Sequence, residues 1–577
     1  MTLDRDDLRG DLGQEGGLEA ETGTDLEHAI VRLDLGGVDH PSDQRRLARG
    51  LALEDPDRAI PVGLVAGKFG DEVLACDGSE RFDDSGIHPF SLDEPSQPLL
   101  AFRHSSEPSA ALTIGDMSRY KRLSVLDELF LHIEGPNTHM HVGGVCIFEV
   151  PPPDYHELVE QARKRLQLVP RFRQKLATVP FALGRPIWVD DTHFNIEYHF
   201  RHTALPPPGD DEQLKRLAGR IMSQQLDRSK PLWEIWFAEG LAGDRWAFIS
   251  KTHHCLVDGI SGVDIMSVIL DIEREPQEVE EEPWRPEPEP TPDQLIMDAL
   301  TERLTSPTEV VRTLRSTLND PTKIPNRLME AGRALGAFVG GSLDFAPTSS
   351  LNLQVGPHRR FEMVLADLDE FKRIKNAFSA TVNDVVLAVV TGGLRRLLKG
   401  RGERVDDLEL RAMVPVSVRA DTDKGALGNQ VASIWAPLPV YETDPVARLK
   451  TLSESMKDLK SSGQAVGAQL LTTLGEYAPP TILSQAGRLV ARQRAYNLVV
   501  TNVPGPQFPL YSQGCEMKEV YPVVPLSDNT TVCVGLLSYN GTIGFGLLGD
   551  FDAAPDLAEL AEGIEKSIVE LSSQVTD

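Results

Sequence analysis

Two hydrophobic rhythms alternate along the chain from about residue 117 onward. In LSVLDELFLHIEG (123–135), Leu123, Leu126, Leu129 and Phe130 recur at helical spacing behind Ser124, a residue suited to an N-cap. MHVGGVCIFEV (140–150) is β-rich and stops at Pro151, and PDYHELVEQARKRLQL (153–168) reads as an amphipathic helix. PLWEIWFAEGL (231–241) and RWAFISKTHHCL (245–256) predict two strands joined by the turn AGD. Further on, FEMVLADL and ELRAMVPVSV predict strands, while DEFKRIKNAF and NDVVLAVVTGGLRRLLKG (383–400) predict helices. DQLIMDALTERL and TEVVRTLRSTL carry helical periodicity as well. YNLVVTNVPG, TTVCVGLLSYNG and TIGFGLLGDF complete a strand series, and AAPDLAELAEGIEKSIVELSSQV forms the last helix. Strands and helices therefore interleave in two α/β or α+β domains.

Composition places the boundaries. EREPQEVEEEPWRPEPEPTP (273–292) holds six prolines and eight glutamates, which predicts an extended, solvated connector. The segment 1–116 shows neither period, and its Gly, Asp and Pro content predicts disorder. It carries 25 acidic against 10 basic residues, about half of the net charge of −29. Met117 is a candidate start, which mass spectrometry of the native N-terminus would settle. The expected division is an extension over 1–116, a first lobe over 117–272, a connector over 273–350 and a second lobe over 351–577.

The overall acidity excludes nucleic acid as a general partner, because a phosphate backbone needs a basic footprint. Five cysteines without a CxxC pair form neither a disulfide framework nor a zinc ribbon. The charged first residues, MTLDRDDLRG, are not expected to act as a signal peptide. No run reaches the roughly 18 apolar residues of a membrane span, so contact with a membrane would be peripheral.

The candidate chemistry sits where the strand RWAFISKTHHCL ends. Side chains alternate faces along a strand. His254 is therefore expected to share a face with Phe248, Ser250 and Thr252, and His253 with Ala247, Ile249 and Lys251. Rings that point apart do not chelate one metal, and no HExxH is present, so no metal is expected. One histidine can face a cavity while its neighbour supports it. Gly259 tolerates the turn that follows, and Asp258 can cap the helix ISGVDIMSVILD. A lone histidine in an apolar segment is usually a satisfied core residue. A strand end, a turn and a helix start in the order HHxxxDG form a more specific pattern.

HHCLVDG resembles the HHxxxDG motif of the CoA-dependent acyltransferase superfamily, which includes chloramphenicol acetyltransferase and peptide-synthetase condensation domains. The flanks MHVGGVCIFEV, PLWEIWFAEGL, NDVVLAVVTGGLRRLL, VPVSVR followed by GNQ, NLVVTNVPGP and LLSYNGTIGFGLLGD are similar, in this order, to the bacterial wax ester synthase/diacylglycerol acyltransferase family. The likeness runs from about Met117 to the C-terminus. It implies two chloramphenicol-acetyltransferase-like lobes, each a mixed sheet flanked by helices, with an active-site tunnel between them. It also implies fatty acyl transfer from acyl-CoA, as co-substrate and without a bound cofactor, to diacylglycerol or a long-chain alcohol. The products are triacylglycerol or wax ester, made at an inner membrane face or lipid droplet.

Carried onto this chain, the resemblance makes His254 the general base, His253 its support, Asp258 an orienting group paired with an arginine, and Gly259 the turn residue. Arg419 in VPVSVR is one candidate for that arginine. Loss of both thermal stability and activity is expected for Asp258→Ala; a stable, inactive variant would contradict the structural role. Asn383, Asp384, Pro231, Leu232 and Trp233 match family segments near the site, although a helix cap and a buried strand start explain them equally well. Arg163, Lys164 and Arg165 lead a basic run, 162–176, that could attract CoA phosphates or simply face solvent. Cys255 is expected to be a core cysteine rather than a nucleophile. Other readings stay open: a condensation-type ester or amide former, or a lipid-binding protein without catalysis.

Overall fold

A computed structural model describes residues 120–149, 151–257, 266–305, 345–417, 431–461 and 495–575. The expectations for 1–116, for a helix over 308–318, for the first half of ISGVDIMSVILD, and for Asp258, Gly259 and Arg419 lie outside these residues.

Helix α1 (Val125–Ile133) starts where the sequence places its cap: the Ser124 Oγ accepts from the Asp127 N–H. The first lobe continues with strand β1 (His141–Phe148), helix α2 (Tyr155–Arg165), a small hairpin of β2 (Gln174–Ala177) and β3 (Ile187–Asp190), strand β4 (Phe200–Ala204), helix α3 (Asp211–Met222), β5 (Trp233–Leu241) and β6 (Arg245–His253). After helix α4 (Pro292–Thr305), which opens with Pro at its first position, the second lobe holds β7 (Arg359–Asp367), α5 (Leu368–Ala377), α6 (Val382–Gly400), β8 (Glu409–Ser417) and β9 (Val431–Pro439). Helix α7 (Pro445–Ser461), strands β10 (Leu498–Pro504), β11 (Tyr511–Ser512), β12 (Cys515–Val523), β13 (Val532–Tyr539) and β14 (Thr542–Asp550), and helix α8 (Leu557–Ser572) complete the chain.

Two six-stranded sheets result, in the orders β11-β12-β1-β6-β5-β4 and β7-β14-β13-β10-β8-β9. Both are mixed: β4 runs parallel to β5, and β10 runs parallel to both β8 and β13, while the other pairings within them are antiparallel. Sheet membership does not follow the division of the chain. Strand β12, from the C-terminal portion, is hydrogen-bonded to β1 in the first sheet, with Val145 opposite Tyr521. The lobes are thus interlocked through backbone hydrogen bonds.

The two faces of β6 bury different cores. Ala247 and Ile249 join Val523, Phe361, Met413 and Val499 in a cluster between the sheets. Trp246 and Phe248 turn the other way, onto Leu158, Phe172 and Phe200. The period-2 pattern read from the sequence holds along this strand. The acidic segment 272–291 carries neither helix nor strand, and it is tied to the first lobe: Arg165 donates to the Gln277 carbonyl and Trp284 packs edge-on against Phe194. Among the described residues, no single helix is long and apolar enough to cross a membrane.

Candidate active site

The backbone fixes the end of β6 on both sides. The His253 N–H donates to the Leu232 carbonyl, and the His254 N–H donates to the Met140 carbonyl at 2.8 Å. His254 lies one residue past the strand, in a turn, so strand alternation no longer governs its ring. Its ring stacks on Phe130, with centroids 4.0 Å apart and planes at 26°. Phe130 belongs to the cluster between the sheets, so His254 does not share the environment of Phe248 as the alternation predicted. The ring is 1% exposed and lines neither of the two cavities considered below, so its expected opening onto a cavity is not seen there.

His253 is completely buried, with Nδ1 hydrogen-bonded and Nε2 facing a carboxylate. The Cys255 N–H donates to Nδ1 at 3.1 Å, so Nδ1 carries a lone pair and Nε2 carries the proton of the neutral ring. Nε2 points to the Glu134 carboxylate at 3.7 Å. Glu134 follows the end of α1, and its side chain is fully buried. Arg228 grips it at 2.6 Å, and His141, which sits opposite His253 in the β1–β6 register, approaches at 3.5 Å. Burial alone would raise the pKa of Glu134. The contact with His253 and the charge of Arg228 outweigh burial and hold it well below the usual carboxylate range. Burial drives His141 the other way, well below the ordinary histidine value, and the Lys251 charge adds to that; the ring stays neutral.

Lys251 lies two residues before His253 and is also completely buried. Its ammonium pairs with Glu234 at 3.2 Å and donates to the carbonyls of Ile221 in the last turn of α3 and of Gln224 just beyond it. The face of β6 that carries His253 therefore rests on a chain of buried polar groups. Glu134, His141 and Lys251 were not singled out by sequence reasoning. The available signal was the histidine pair in THMHVGG, whose second member, His141, the antiparallel β1–β6 register brings opposite His253.

Cys255 fits its expectation. It is buried in the outer core, and burial pushes its thiol well above the ordinary value. Its Sγ lies 2.9 Å from His253 Nδ1. A protonated thiol is a poor nucleophile. Cys255→Ala should therefore retain turnover within about tenfold, the modest loss reflecting the freed imidazole. Thiol release from palmitoyl-CoA measures this, and complete loss of activity would show that Cys255 takes part in the chemistry.

Other expected residues fall in different roles. Pro231, Leu232 and Trp233 are all buried. Leu232 supplies the carbonyl that receives His253 N–H, and Trp233 donates its indole N–H to the Phe172 carbonyl and stacks on His199. They position the strand end from within the core. Thr381, not Asn383, caps α6; Asp384 completes a capping box with it and is 3% exposed, while Asn383 occupies the second helical position. Arg165 is 3% exposed and locked to Asp271 at 2.5 Å, which corrects its assignment to a phosphate-attracting surface. Arg163 pairs with Glu160. With Lys164, Arg163 borders a cavity of about 340 Å³ that Glu281 and Glu282 also line, which offsets its positive charge. Among the described residues, no group of three or more His, Cys, Asp or Glu is placed to hold a metal ion.

Two mixed sheets packed against each other, with the motif histidines at a strand end beside the core they share, define a two-lobed acyltransferase of the chloramphenicol acetyltransferase type. The model of the wax ester synthase/diacylglycerol acyltransferase catalytic domain matches residues 123–386, and that of the family's C-terminal domain matches 427–572. A Mycobacterium tuberculosis (H37Rv) protein named as a probable diacylglycerol O-acyltransferase, tgs1, is 32% identical over 458 residues, covering 78% of this chain and 95% of the relative. A second one from that strain, tgs2, is 35% identical and covers 78% and 98%. The solved wax ester synthase/diacylglycerol acyltransferase of Marinobacter aquaeolei VT8 aligns with a TM-score of 0.57 at 27% identity, over 79% of this chain and all of that one. The chain belongs to the wax ester synthase/diacylglycerol acyltransferase family, and it is an acyltransferase enzyme.

Proposed function

We propose that the enzyme transfers a fatty acyl group from acyl-CoA to the hydroxyl of diacylglycerol, and to long-chain alcohols, with His254 as general base and no acyl-enzyme. The imidazole takes the acceptor's proton as its oxygen attacks the thioester carbonyl. The tetrahedral oxyanion collapses, the C–S bond breaks, and the proton passes to the departing sulfur. The observation that supports this reading most is the fixing of His254 by the Met140 carbonyl and the Phe130 ring at the edge of the inter-sheet core. A rigidly held base in a water-poor setting suits proton abstraction from a lipid alcohol. His253, held by Cys255 and Glu134, supports the turn, and Asp258 and Gly259 shape it. A tunnel between the lobes would bring the substrates to the ring. Such apolar substrates place the enzyme peripherally at a membrane or lipid-droplet surface.

The test is release of free thiol from palmitoyl-CoA on adding diacylglycerol, hexadecanol or no acceptor. Acceptor-dependent release with formation of the corresponding ester is expected. Lipid binding without acceptor-dependent release would overturn the proposal.

A further inference from the structure

The most strongly cationic concavity described lies away from the basic run 162–176. It has a volume of about 660 Å³, within the range of small-molecule sites, and opens between α3 of the first lobe and β7 of the second. Arg216 and Arg220 stand four residues apart on the exposed face of α3, and among the described residues neither meets a carboxylate. Across the cavity, Arg360 lies over the ring of Phe551 at 3.9 Å, donating only its Nε to the Phe551 carbonyl, and the exposed His358 meets that ring edge-on. Phe551 itself is 42% exposed. The two glutamates in the lining, Glu212 and Glu362, are both spent on Lys215. A surplus of guanidinium groups around an exposed aromatic ring is unexpected in a chain of net charge −29.

The lining of this cavity is hydrogen-bonded to the segment that precedes β1. Arg359 lines it and donates through Nη2 to the Asn137 carbonyl, three residues before the Met140 carbonyl that holds His254. Gln224, also in the lining, receives the Lys251 ammonium. The cavity lining and the site therefore share hydrogen-bonded neighbours.

We propose that this cavity binds the adenosine 3′,5′-bisphosphate end of acyl-CoA, with Arg216, Arg220 and Arg360 on its phosphoryl groups and the base against Phe551. Guanidinium forks match phosphoryl oxygens, and aromatic faces accept bases by stacking. A lipid headgroup offers the same phosphoryl chemistry without a base to engage Phe551. The assignment rests on the acyl-CoA reading above but names a site the sequence did not indicate.

The experiment uses the full chain and isothermal titration with adenosine 3′,5′-bisphosphate. The double variant Arg216→Glu/Arg220→Glu should weaken binding by at least about tenfold, and Phe551→Ala should weaken it independently. The same variants should raise KM for palmitoyl-CoA, but not for palmitoyl-pantetheine, which lacks the nucleotide. Unchanged nucleotide affinity in the double variant would overturn the site. So would loss of binding to phosphatidic acid vesicles with nucleotide affinity intact. Nucleotide binding that depends on these residues, in a protein that releases no thiol, would sink the catalytic reading and leave the site standing. Thiol release insensitive to the variants would do the reverse.

Discussion

Replacing His254 with alanine should abolish measurable turnover while the protein remains folded. A positioned general base typically accounts for about 10²–10⁴ in rate, and no second imidazole is free to substitute. His253 has its lone-pair nitrogen occupied by Cys255 and directs the other at Glu134, and His141 accepts the Leu226 N–H and is neutral. Among the described residues the ring stacks on Phe130, a contact of a kind worth about 0.5–1.5 kcal/mol beyond area burial. Activity and stability should therefore separate. Acceptor-dependent thiol release should fall at least about 100-fold, while the melting temperature drops only by a few degrees. Retained turnover in a folded His254→Ala protein would remove the base from the mechanism.

Glu134→Ala is expected to be the most destabilising single change in the site. It strands Arg228 and leaves His253 and His141 without the anion they face. Removing one partner of a buried ion pair costs about 3–5 kcal/mol. Arg228 is partly exposed and regains water, which pulls the figure toward the lower end. The folded carboxyl titrates below its unfolded counterpart, so its contribution is complete above the unfolded carboxylate pKa of about 4.5 and fades as pH falls below it. Chemical unfolding at neutral pH should show the full difference from wild type, and the gap should narrow steadily below about pH 4.5. A gap that is constant across this range would mean that packing, not charge, is what Glu134 supplies. Glu134→Gln keeps the shape and should lose activity with less stability, because it weakens the hold on His253.

Helix α1 with its Ser124 cap, the strand rhythm of β5 and β6, and the HHxxxDG pattern could be read from the sequence because each is a short-range property. Local spacing fixes which residues share a face, and so Ala247 and Ile249 part from Phe248 as expected. The prediction failed at His254, one residue beyond the strand, where the Met140 carbonyl and the Phe130 ring set the orientation instead. Asn383 was displaced as cap by Thr381, two residues earlier, because the capping box needs its acidic partner at the third helical position.

The amino-acid sequence by itself determined the motif histidines and the acidity of the segment 273–292, because these depend on neighbours a few residues apart, and the resemblance of HHCLVDG and its flanks to a known family implied the class of chemistry. Only the tertiary structure decided that β12 lies in the first sheet, that Glu134 answers His253 from a distant element, and that Arg165 is a core clamp. It also decided that the exposed cations gather between α3 and β7. Each of these joins residues far apart in the chain, and long-range burial and charge pairing leave no periodic trace in any one segment.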